Sequence, residues 1–100
     1  MSANRVELRA TLQARELLRY SPAGVPILNA GLSHASEQKE AGAARQVAFE
    51  IAALFAGPVA LAADRLPLGS ELRVEGFIAP RRRQSKQLVL HVNEFELIEV

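Results

Sequence analysis

Arg81, Arg82, Arg83 and Lys86 stand within six residues of one another, with no apolar side chain between them. Side chains of this type at this spacing neutralise phosphates; guanidinium groups stay charged at any physiological pH and present forked donors. Catalytic groupings are missing from the chain. His34 and His91 are the only histidines, and neither has a second His at metal-ligand spacing. The glycines at 24, 31, 42, 57, 69 and 76 stand alone and form no phosphate loop. With no cysteine there is no thiol nucleophile, disulfide or thiolate-held metal. Glu37 and Glu40 read as solvated charges. The expectation is a binding protein rather than an enzyme, with no cofactor and no metal. A plainer reading competes with it: a basic loop also serves as a solvated hairpin tip that keeps a strand edge from sticking.

Formal net charge is only +1, so attraction of the whole chain to a polyanion is weak and placement decides. The basic loop is a local positive patch, whereas Glu94, Glu96 and Glu99 make the following segment acidic.

The loop must be held by the elements on either side of it. Before it, Leu72, Val74, Gly76 and Ile78 alternate with Glu71, Arg73, Glu75 and Phe77, the period of a half-buried strand opened by a Gly69–Ser70 turn. Gly76 inside that pattern predicts a bend, a bulge or a close backbone approach. After the loop, Leu88, Leu90 and Val92 alternate with Val89, His91 and Asn93, so the two strands form a hairpin with the basic residues at its tip.

The rest of the chain supplies the remaining elements. Val6, Leu8, Ala10 and Leu12 predict a first strand over Asn4–Ala14, and Ser21–Pro22–Ala23–Gly24 a turn. Pro26 opens a second strand, Ile27–Ala35. Ser36–Phe55 is ambiguous: its residues favour a helix, yet Val47, Phe49 and Ile51 also alternate as a strand would. Gly57–Pro58 stops that segment and starts a short helix over Val59 to Asp64 or Arg65.

A length of 100 residues predicts a single domain over 1–100 with a core that needs no staples. The start MSANRVELRA has no apolar run before its first charges. Ile51–Ala63 is too short to span a bilayer and is broken by Gly57–Pro58. A soluble, cytoplasmic protein without membrane association is expected.

Three strands, a short helix and two more strands correspond to an all-β, five-stranded OB-fold Greek-key barrel with the helix between strands three and four. The segment LGSELRVEGFIA resembles the matching strand of bacterial single-stranded-DNA-binding proteins. Nearly the whole chain is similar to the primosomal replication protein N (PriB) family. The likeness rests on Asn4–Arg5, Ser21–Pro22 with Gly24 and Pro26, Glu40–Ala41–Gly42, Arg45–Gln46, Val74, Gly76–Phe77–Ile78, Leu90–His91 and Glu96–Leu97–Ile98.

The resemblance implies a long hairpin loop around Glu37–Ala43 and a third strand from about Arg45 to Leu54. It also implies a non-catalytic homodimer that binds single-stranded DNA, the PriA helicase and, in some relatives, a further primosome protein such as DnaT, during replication restart. Arg19 and Arg45 match basic positions that touch DNA in the family, to be joined by Arg81, Arg82, Arg83 and Lys86. Arg9 and Arg73 join them only if their strands face the groove.

The sequence departs from the family in its aromatics. Ala43 and Ala48 occupy positions that are aromatic in better-known relatives, and Phe49, opposite Ala48, is expected in the core. Tyr20 is the aromatic best placed to stack on a base. Each lost stack removes roughly 1–3 kcal/mol, so binding is expected to be mostly electrostatic. About four neutralised phosphates give a salt slope near −3. Two other readings stay open: an OB module that joins a helicase or replication factor with little DNA binding of its own, and an RNA-binding barrel.

Overall fold

In a computed structural model of the chain, which describes residues 2–98, hydrophobic alternation becomes a closed barrel. The elements are β1 (Val6–Arg15), a two-residue β2 (Arg19–Tyr20), β3 (Pro26–Glu40), β4 (Ala43–Ala56), α1 (Pro58–Asp64), β5 (Glu71–Pro80) and β6 (Leu88–Leu97). Apart from the short β2, these are the expected five strands, with the helix in its expected place.

Closure comes from β1, which serves two neighbours. Its first half pairs antiparallel with β5, from Val6↔Gly76 to Thr11↔Glu71, and its second half with β3, from Thr11↔Ser33 to Arg15↔Ala30. The register shifts between Leu12 and Ala14, a bulge that lets one strand turn from one partner to the other. On the far side β4 and β6 run parallel over Ala53–Phe55 and Leu90–Val92. Leu12, Leu28, Leu32, Phe55, Leu72, Val74 and Leu90 fill the interior completely shielded from water. Phe55 and Phe95 meet edge to face at 6.1 Å. Pro58 starts α1, which packs on β3, β4 and β6 through Ala60 and Ala63. No helix among the described residues is long and apolar enough to cross a membrane.

Gly76 fulfils its expectation twice. The β5–β6 register slips beside it, from Glu75↔Glu94 to Gly76↔Val92, leaving Asn93 as the extra residue of a bulge. Its Cα also lies against the β6 main chain.

Three expectations need correction. The loop expected at Glu37–Ala43 is instead paired strand down to Glu40↔Ala43, turning through Ala41 and Gly42 at φ 52° and 80°. Two successive positive φ values suit the right-handed twist of a hairpin. Polar partners across the ladder hold the arm: Gln46 donates to Glu37 at 3.0 Å and Arg45 to Glu40 at 2.7 Å. Phe49 is not core but 40% exposed. It shares the inward face with Ile51, Ala53 and Phe55, but the arm carries it past the barrel wall, so no strand lies over it. Leu88, grouped by alternation with Leu90 and Val92, does not share their burial and is exposed, while Val89 of the opposite set is buried against a cleft.

Candidate nucleic-acid interface

Outward-facing residues of β3 and β4 make the floor of that cleft, which encloses about 420 Å³. Gly31 and Ala52, paired in register, keep the floor low, with Asn29 and Leu54 beside them. Arg19 reaches the cleft from the segment after β1, and Arg81 from the start of the β5–β6 loop. Val89 and His91 form the wall on the β6 side.

The β5–β6 loop is built to hold its charges outward. Arg81 N–H donates to the Gln87 carbonyl at 2.8 Å and Ser85 N–H to the Arg82 carbonyl at 2.9 Å, closing the turn. The side chains of Arg81, Arg82, Arg83 and Lys86 are thus not used for folding. Among the described residues, neither they nor Arg19 have a carboxylate in ion-pairing range. Arg15 also lines the cleft, but its guanidinium is tied to the Leu66 carbonyl and lies 3.9 Å from Asp64.

The opposite arrangement holds across β1, β5 and β6. Arg5 bonds Glu75 at 2.8 Å, Arg9 bonds Glu71 at 2.5 Å, and Arg73 bridges Glu7 and Glu96 at 2.9 Å each. The hydrogen bond from Arg5 holds the Glu75 carboxyl below its ordinary value. Bonds to these carboxylates raise Arg5, Arg9 and Arg73 above theirs. Arg9 and Arg73 therefore belong to a neutralised ladder and do not add to the basic cleft.

The remaining expected site residues are dispersed. Arg45 lies on the arm, bonded to Glu40, seven residues along β4 from Ala52; at about 3.3 Å per residue that is roughly 23 Å from the cleft. Tyr20 is 60% exposed and pairs with Pro26, but Arg19, not Tyr20, lines the cleft. On the arm Phe49 meets His34 at 5.0 Å with the rings tilted by 33°. His34 Nδ1 is 2.6 Å from the Arg9 carbonyl oxygen, and its Nε2 is 2.8 Å from Ser36 Oγ.

The aromatic pair nearest the cleft was not singled out from the sequence. Phe77 and His91 stand opposite each other on β5 and β6, stacked at 4.8 Å and within 10° of parallel. Alternation already put both on outer faces; the register that makes them neighbours depends on the Asn93 bulge.

The family model described as another single-strand binding protein family matches residues 4–94. Replication restart protein PriB of Bordetella pertussis is 41% identical over 91 residues, covering 91% of this chain and 85% of that protein. Among solved structures, PriB from Ralstonia solanacearum superposes with a TM-score of 0.89 at 46% identity, covering 98% of this chain and 100% of that one. The single-stranded DNA binding protein from Thermus aquaticus gives 0.76 at 26% identity over 97% of this chain and 50% of that one.

Proposed function

The chain belongs to the PriB family of single-strand-binding proteins, and from that premise we propose that it binds single-stranded DNA in the cleft as a non-catalytic accessory factor of replication restart. One observation carries this reading: two separate segments, β2 and the β5–β6 loop, bring Arg19 and Arg81 to one cleft, and neither has a carboxylate partner among the described residues. An unpaired guanidinium gives up only water to take a phosphate, whereas Arg5, Arg9 and Arg73 would first have to break ion pairs. Arg82, Arg83 and Lys86 extend the positive rim along the loop. Tyr20 stacks on bases that leave the cleft past β2, and Arg45 contacts only a strand that continues along the arm.

The same reading assigns the PriA helicase as protein partner, with a further primosome protein such as DnaT, and places the activity in the cytoplasm. It also assigns a homodimer. Val6–Leu8 of β1 pair with β5 on one edge and with no strand among the described residues on the other, where the first contact from β3 is His34 at the Arg9 carbonyl; that edge is one a second copy can complete. A second reading, an adaptor with little DNA binding of its own, is favoured by the exposed Phe49 and the ion-paired Arg45 on the arm, a surface suited to a protein partner.

The test is a fluorescence-anisotropy titration of labelled oligothymidine, with duplex DNA as competitor and a triple Arg81, Arg82, Arg83→Ala variant as control. Preference for the single strand, steep loss with salt and loss in the variant support the cleft. Absent low-salt binding, or binding indifferent to the triple substitution, gives the lead to the adaptor.

A further inference from the structure

The cleft offers more than charge. His91 lies between Phe77 and the cleft: one face of the imidazole is stacked on the Phe77 ring, and on its other side β4 places Leu54 in register with it. Across the floor, Leu54 is paired with Asn29. Phe77, His91, Leu54 and Asn29 thus form one row across four neighbouring strands, running from an aromatic stack to a carboxamide.

Asn29 is the unusual member. Its side chain makes no hydrogen bond among the described residues, although it is half-buried in a strand and lines the open cleft. Its main-chain carbonyl accepts the Glu16 N–H at 2.9 Å, which brings Glu16 to the same end of the cleft. A carboxylate there repels phosphate, while Arg19 and Arg81 attract it. Arg19, paired with Ile27 two residues along β3 from Asn29, and Arg81, on the β6 side, bracket the cleft, so a phosphate can be held at either rim while its base lies across the floor between His91 and Asn29.

Resting on the DNA-binding reading above, we infer that the cleft seats a single nucleotide, whose base continues the Phe77–His91 stack and bonds the Asn29 carboxamide in a way that accepts all four bases. The volume suits this: 420 Å³ lies at the small end of the range of about 300–1,000 Å³ for small-molecule pockets. The chemistry suits it too. Every base presents a donor beside an acceptor on its Watson–Crick edge: N6–H and N1 in adenine, N3–H and O4 in thymine, N1–H and O6 in guanine, N4–H and N3 in cytosine. A carboxamide carries a matching acceptor and donor, and rotating it by half a turn exchanges their order. Asn29 therefore satisfies whichever base arrives, and the stack, which every base can join, supplies the attraction. The protein tolerates sequence because of this residue, not for want of base contacts.

The inference makes a distinctive demand on Asn29→Asp. A carboxylate only accepts, and guanine alone offers two adjacent donors, N1–H and N2–H. Wild type binds oligomers of repeating TTG, TTA and TTC with equal affinity, whereas Asn29→Asp favours TTG roughly ten-fold over the other two. Photo-crosslinking with oligothymidine carrying 5-iododeoxyuridine locates the stack independently of affinity, with the adduct expected on the peptide holding His91. His91→Ala abolishes that adduct and His91→Phe restores it. Adducts only at Tyr20 or Phe49, or an Asn29→Asp protein that binds the three repeats equally, overturn the nucleotide seat while DNA binding itself stands. If the unsubstituted protein binds no oligomer at low salt, the DNA-binding reading falls and the seat with it.

Discussion

Gly76 and His91 are in contact through their main chains. A Cβ built on Gly76 would stand 1.8 Å from the His91 carbonyl oxygen and 2.8 Å from its carbonyl carbon. Only a hydrogen fits between the strands at this point. The atoms in the way are backbone, so no side-chain rotation relieves the clash. Gly76→Ala is therefore expected to force β5 and β6 apart beside the bulge, destabilising the protein by about 3 kcal/mol or more. Urea denaturation measures this. A change below about 1 kcal/mol would refute a main-chain contact at Gly76. Because His91 moves with its carbonyl, the variant should also bind DNA more weakly than its stability alone explains.

Charge placement separates the arginines by the length of DNA they need. Arg19→Ala and Arg81→Ala are each expected to reduce the magnitude of the salt slope by about 0.7 on any oligomer that binds. Arg45→Ala should have no effect on oligomers confined to the cleft and a similar effect on oligomers long enough to reach the arm. Salt titrations of short and long oligothymidine check this, and an Arg45 effect on the shortest binding oligomer would refute it.

The turn of the arm is not optimised. Ala41 holds φ 52°, a conformation costly for a residue with a Cβ and no polar group to bond locally. Ala41→Asn creates the Asn-Gly pair that such hairpins prefer and should stabilise the arm by about 0.5–1 kcal/mol. Amide hydrogen exchange within residues 37–46 reads the effect where it occurs, and unchanged or faster exchange there counts against it.

Acid should loosen the charged ladder through Glu75. Its carboxyl is held below the ordinary value of 4.5, chiefly by the hydrogen bond from Arg5. A carboxylate depressed on folding contributes stability that is present above its unfolded value and lost as pH falls through the folded one. Wild type is thus expected to lose more stability between about pH 5 and pH 3 than Glu75→Gln, which has no proton to take up. Parallel pH profiles for the two would assign the acid sensitivity elsewhere.

Two phenylalanines on one face of β4 should differ sharply. Phe55→Ala empties the centre of the barrel and is expected to cost about 3–5 kcal/mol. Phe49→Ala, exposed on the arm, should cost less than about 1 kcal/mol. Denaturation of both variants decides.

That contrast also marks how far the sequence could be read. Alternation placed Phe49 on one face with Val47 and Ile51, the face that in β4 continues to Phe55, but a face is buried only where another strand lies over it. Where β1 and β6 stop covering β4 is a property of the assembled barrel. Gly76 was legible because a glycine within a strand pattern has few explanations, and the structure adds which one holds. The basic tip was legible as a cluster of charges in sequence. The cleft was not, since it gathers Arg19, Asn29, Ala52, Arg81 and His91 from segments that meet only on closure. Nor was the Phe77–His91 stack, because one inserted residue, Asn93, sets which side chains face each other.

The parallel seam between β4 and β6 spans only Ala53–Phe55 and Leu90–Val92, and it imposes an order of events during synthesis. Until residues 88–97 are in place, β4 and β5 each lack the neighbour that β6 supplies and the interior is open to water on that side. The growing chain is thus most vulnerable to pairing with a neighbour just before β6 arrives. The segment that completes the barrel is the same one that carries His91 into place, so the cleft cannot exist on a partly folded chain. An incompletely made molecule is thereby prevented from competing for DNA.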